Sequence, residues 1–168
     1  MSAQCASLDP GPDLKLIFKH EGIGYFLRLA IHASRDKGRA RFGLSPHHIG
    51  IVGKPGATAL ITEPGALEEY TRLLGPKFRN EVCARVMLTP HGKTAADVID
   101  QLRCPALIQI CGHDQLVSVA GTLGIAKRMG SLAEVKRYPI GHFDIYQGKA
   151  FERAAADQIE FFSRHLQV

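Results

Sequence analysis

Apolar positions change their spacing along the chain, and the change predicts the elements. Over residues 13–33, Leu16, Phe18, Ile23, Phe26, Leu27 and Ala30 recur at helical spacing, with Gly22 and Gly24 weakening the middle. The cluster Asp9-Pro10-Gly11-Pro12 before them predicts a turn, and the basic, Gly-rich stretch 34–58 after them a loop. Thr62-Glu63-Pro64 opens a helix, with Thr62 as cap and Pro64 in the first turn. Leu67, Tyr70, Leu73 and Leu74 share its face and Gly75 ends it. Residues 78–88 read as a further helical stretch.

From residue 92 onward the texture is cleaner. Residues 95–102 predict a helix, which Cys104-Pro105 breaks. Ala106 to Cys111 is apolar apart from Gln109, the pattern of a buried parallel strand. Gly112-His113-Asp114 is a turn, 119–129 a helix with Gly130 just past its end, and Glu134 to Tyr138 a second short strand. After the turn Pro139-Ile140-Gly141-His142 comes a helix over 149–166, with Phe151, Ala155, Ile159, Phe162 and Leu166 on one stripe. Strand, helix, strand, helix at these lengths is a βαβα unit with a parallel sheet and a right-handed crossover. Chemistry in such sheets sits at the carboxyl ends of the strands. One strand delivers Asp114 there and the next delivers His142, 28 residues later.

A carboxylate and an imidazole on neighbouring strand ends form an orienting pair: the acid accepts the Nδ1 proton and leaves Nε2 to act as a base. The surrounding residues, Arg103-Cys104-Pro105-Ala106-Leu107-Ile108, Gly112-His113-Asp114-Gln115-Leu116-Val117 and Tyr138-Pro139-Ile140-Gly141-His142-Phe143-Asp144-Ile145-Tyr146, resemble the C-terminal end of the α/β-hydrolase fold. The likeness covers about 95 to 168. It implies Asp114 as the triad acid and His142 as the triad base. Asp144, two residues after the base, reads as a hydrogen-bonding support for the turn rather than a backup acid. More loosely, residues 2–9 are similar to the strand after the nucleophile helix of such enzymes, and 76–86 to part of their cap. The implied organisation is a core strand in 1–9, a mostly helical cap or lid in 10–92, and a βαβα core in 93–168. The fold class expected is thus α/β, a partial doubly wound parallel sheet with strands at 2–7, 106–111 and 134–138.

The family's nucleophile elbow is G-x-S-x-G. None of the seven serines (2, 7, 34, 45, 118, 131 and 163) stands in that motif. The elbow and the oxyanion loop would lie upstream of Met1, so the chain holds acid and base without the groups that attack the carbonyl and stabilise the oxyanion. A cysteine is a poor substitute. Cys111 lies on the acid's own strand, Cys104 precedes a proline at the other strand end, and Cys5 precedes any helix.

Composition narrows the remaining choices. The 168 residues are 45% hydrophobic and 22% charged, and no apolar run nears the ~18 residues of a membrane span. Four scattered cysteines without C-x-x-C give no disulfide scaffold or zinc ribbon, so a reduced, cytoplasmic protein is expected. The net charge of +5 comes largely from Arg35, Lys37, Arg39 and Arg41 in the presumed loop, and with no Trp and four Tyr neither nucleic acid nor membrane is an expected partner. Gly92-Lys93-Thr94 lacks the glycine at 87 of a phosphate loop, and Gly22-x-Gly24 lacks the one at 27 of a dinucleotide fingerprint. His47 and His48 are adjacent and diverge, and His113 is a turn residue, so no metal or cofactor is expected. Two function classes stand. One is a serine hydrolase of small-molecule esters or amides whose serine lies elsewhere. The other is a non-catalytic remnant or interaction module that self-associates, or pairs with an N-terminal hydrolase half, through its open sheet edge.

Overall fold

The structure is a computed structural model that describes residues 1–89 and 92–166. Two compact units divide the chain, one from Met1–Ile17 with Gly92–Val168 and one from Phe18–His91. The first holds a three-stranded parallel sheet in the order β1 (Ser2–Gln4), β5 (Ala106–Cys111), β6 (Ala133–Tyr138). Ala3 pairs with Ile108, Ile108 with Val135 and Cys111 with Tyr138. All six residues of β5 are buried, as its apolar run requires of a strand covered on both faces. Ala106, Ile108 and Ile110 pack with Ile125, Ala126 and Met129 of helix α4 (Val119–Met129). Ser118 caps that helix by accepting the Gly121 amide, and Gly130 follows it at φ 58°.

The other face of the sheet meets helix α5 (Gly148–Leu166), and here the expected stripe is wrong. Ala154 and Phe161 are the buried residues, whereas Phe151, Ile159 and Leu166 are 50–67% exposed. The cause is the polar side chain in the middle of β5. Gln109 donates to the Tyr138 hydroxyl and the Ala154 carbonyl and accepts from Gln158, each at 2.6–2.8 Å. Tyr138 donates to Asp157 at 2.6 Å. Satisfying these buried groups turns Asp157 and Gln158 inward and rotates the apolar stripe outward. Burial and the bond to Asp157 push the Tyr138 phenol up to about 12.

Helix α1 runs Pro10–Arg41, interrupted at Gly22 (φ 71°), so the expected turn at 9–12 and loop at 34–41 are both corrected to helix. Within the first unit, the buried Asp13 of α1 accepts the Ser7 hydroxyl and the Ser118 amide. The second unit contains a small sheet that hydrophobic spacing does not disclose: β3 (Ala59–Ile61), β2 (His48–Val52) and β4 (Val82–Cys83). Asn80 substitutes for a strand here, accepting the Ile51 and Val52 amides and donating to the Val52 carbonyl. Asp36, fully buried, accepts the His47 and Arg85 amides and pairs with the Arg85 guanidinium. Burial alone would raise its carboxyl; those amides and that cation hold it below the usual range. The expected helical stretch 78–88 is β4 followed by a 3-10 turn, Ala84–Leu88. Helix α2 (Ala66–Leu74) starts three residues later than a Thr62 cap predicts, and Thr62 is buried rather than capping it. Gly75 ends α2 at φ 70°, as expected. The helix expected over 95–102 divides into α3 (Ala95–Val98) and a 3-10 turn, Ile99–Gln101.

Candidate functional site

Strand β5 ends at Cys111, whose carbonyl accepts the Asp114 amide at 3.3 Å and closes a turn. Gly112 is needed in that turn, because a Cβ there would lie 3.0 Å from the Tyr138 carbonyl oxygen of β6. Asp114 Oδ1 accepts the amides of Leu116 and Val117, each at 2.8 Å. Those bonds orient the carboxylate, and its other oxygen, Oδ2, lies 2.7 Å from His142 Nδ1. The Asp114 side chain is 2% exposed and that of His142 16%. An ionised carboxylate only accepts, so Nδ1 carries the proton and Nε2 holds the free lone pair. Among the described residues, Nε2 has no hydrogen-bond partner.

His142 is carried by the turn after β6. The Asp144 carboxylate accepts the Gly141 amide at 2.7 Å and fixes this turn, while Phe143 and Tyr146 pack edge-on against the imidazole. The geometry therefore brings Asp114 and His142 together and uses Asp144 to hold the turn that carries the base. His113 is exposed, and its amide donates to the Ile140 carbonyl. Cys104 is exposed and Cys83 lies in the second unit. The remaining cysteines are joined: Cys5 and Cys111 form a disulfide across 106 residues. The expectation of four free thiols is corrected on this point. Sequence separation hid the pair, and the parallel register that puts β1 beside β5 creates it.

Cys5, Cys111 and Asp114 are the one described group of metal-ligand type, with ligand atoms within 4.8 Å of one another. The sulfurs are bonded to each other and the carboxylate accepts three hydrogen bonds, so no lone-pair set is free for an ion. In the second unit, His47 Nε2 lies 2.7 Å from His32 Nδ1 in a stacked pair. Burial, Arg35 and His32 lower the affinity of His47 for a proton. Sequence reasoning missed Asp13 and Asp36, since a lone Asp within an apolar pattern carries no signal of burial.

The architecture is that of an α/β hydrolase. The structure is similar to the crystal structure of the α/β hydrolase GrgF from Penicillium, with a TM-score of 0.63 and 18% identity over 99% of this chain and 55% of that one. It is equally similar to DcsB, solved with its substrate analogue, with a TM-score of 0.63 and 14% identity over 87% of this chain and 53% of that one. In sequence, the chain is 34% identical over 149 residues to the quorum-quenching protein AidA of Acinetobacter baumannii, covering 84% of this chain and 47% of AidA. An uncharacterized 31.7 kDa protein of Escherichia coli, from a traX-finO intergenic region, is 34% identical over 73 residues, 42% of this chain and 26% of its own length. The chain thus spans about half the length of AidA and of the two structural neighbours. No family model matches it.

Proposed function

We propose that this chain supplies the acid and base of a Ser-His-Asp hydrolase acting on small-molecule esters or amides. Asp114 fixes the tautomer of His142 and stabilises its cation; His142 Nε2 takes the nucleophile's proton and returns it to the leaving group. The observation that carries this reading is the 2.7 Å Asp114–His142 bond at adjacent strand ends, with the second carboxylate oxygen anchored by two amides. The serine and oxyanion donors lie outside these 168 residues, and residues 10–92 act as cap and substrate lid. On this reading the isolated chain is inactive. The substrate is a small-molecule ester or amide; the relative AidA is named as a quorum-quenching protein.

The test is turnover of a p-nitrophenyl ester by the polypeptide translated from the same reading frame extended upstream to a G-x-S-x-G segment. Turnover is expected there, falling on the order of 10⁴-fold with Asp114→Asn, as for a triad aspartate of this role. His142→Ala is expected to abolish it. Turnover that survives His142→Ala would refute the assignment.

The second reading is a non-catalytic module. Strand β1 lies at the edge of its sheet, paired only with β5 among the described strands, and an open edge is a template for another chain. Concentration-dependent self-association of the purified chain, without ester turnover by any longer form, would favour it.

A further inference from the structure

We propose that Cys5 and Cys111 form a reversible redox site that controls the hydrogen bond between Asp114 and His142. The inference deepens the hydrolase reading and rests on it for its biological meaning. Both cysteines stand at the carboxyl ends of adjacent parallel strands, Cα–Cα 6.2 Å apart, within the usual span of a disulfide. Both are buried. Cys5 has φ 44°, the only positive φ outside glycine among the described residues. Such backbone persists where surrounding structure holds it, and it clusters at functional sites.

Cys111 reaches both members of the pair. Its carbonyl closes the turn that carries Asp114, and its Sγ lies 4.0 Å from the His142 carbonyl oxygen. The sulfurs also lie within 4.8 Å of an Asp114 oxygen. In the disulfide neither sulfur bears a proton. Reduction creates two S–H donors beside the Asp114 carboxylate and the His142 carbonyl, where they compete with His142 for the acid. It also requires the sulfurs to move from bonding to van der Waals distance. A void of about 10 Å³, lined by Cys5, Cys111, Asp114, Val117, Val119 and Thr122, lies beside them to receive that motion.

The chemistry balances with a hydroperoxide as oxidant. One thiolate attacks the O–O bond, forming a sulfenic acid and releasing an alcohol or water. The second thiol displaces the sulfenic oxygen as water and closes the S–S bond. Two electrons pass to the peroxide and the two thiol protons end on the released oxygens. The reverse step is exchange with a dithiol, which is itself oxidised to a disulfide.

The test compares the purified chain after hydrogen peroxide and after dithiothreitol. Thiols are counted in denaturant, and the Nδ1 proton of His142, assigned by its loss in His142→Gln, is followed by ¹H NMR. Two thiols, Cys83 and Cys104, are expected in the oxidised form and four in the reduced form, with a His142 resonance that differs between them and reverts on re-oxidation. Cys5→Ser is expected to show the reduced resonance and no response to peroxide, whereas Cys104→Ser switches normally. Four thiols after peroxide, or one His142 resonance common to both forms, would overturn the proposal. The comparison needs no variant to fold, because the unmodified chain supplies both states. It also separates the two ideas. An unchanged resonance in a chain whose extended form hydrolyses esters sinks only the redox site. A switching resonance without hydrolysis in any form sinks only the enzyme.

Discussion

Asp114 uses three hydrogen bonds to do one thing, which is to aim a single oxygen at His142. Both residues are legible in the sequence, because each follows a short strand by a turn and the βαβα order makes the strands parallel. Cys5 and Cys111 are not legible as a pair, because only the register of β1 on β5 brings them together. Neither is the Gln109–Tyr138–Asp157 network, whose members are three ordinary polar residues until α5 docks. Its electrostatics give a testable outcome. Burial pushes the phenols of Tyr25 and Tyr138 up to about 12, from 10 in the unfolded chain. A raised folded value means that their contribution to stability is whole below pH 10 and is lost as pH rises toward 12. Tyrosinate absorbance against pH is therefore expected to show two of the four tyrosines ionising near pH 12, with Tyr138→Phe removing one of them.

Elements in the first unit are predicted well where one feature dominates. The continuous apolar run gives β5, and Ser118 and Gly130 bound α4. Helix α5 shows where periodicity fails. Its strongest apolar stripe faces away from the sheet, since the sheet presents Gln109 and Tyr138 and these demand polar partners. The two residues that decide the matter are Phe161, 1% exposed, and Ile159, 67% exposed. Phe161→Ala is expected to cost about 3–5 kcal/mol. Ile159→Ala is expected to stay within ~0.5 kcal/mol of the parent. Urea denaturation of the two variants side by side checks the docking face, and a reversal of that order would restore the stripe read from the sequence. In the second unit, strands of two to five residues held by Asn80 and Asp36 leave too short a pattern to read.

At the scale of the molecule, the disulfide joins the strand at the start of the chain to the strand that carries the acid, closing a loop of 106 residues. On the chain-entropy account, a closure of that length stabilises by about 5 kcal/mol. Reduction with dithiothreitol is thus expected to lower the urea midpoint markedly, and an unchanged midpoint would contradict this contribution of the Cys5–Cys111 link. The fold class was legible from the βαβα order of residues 93–168. The two compact units divide within α1, between Ile17 and Phe18, where no change in the sequence marks a boundary.

These 168 residues are proposed to hold the acid and base of a hydrolase and not its nucleophile. Labelling with a fluorophosphonate probe, mapped by mass spectrometry, tests this most directly. None of the seven serines in the isolated chain is expected to label above the rate in denaturant, and a G-x-S-x-G serine is expected to label in the upstream-extended form. Rapid labelling inside the 168 residues that disappears with His142→Ala would contradict it, since a nucleophile would then be present where none is assigned.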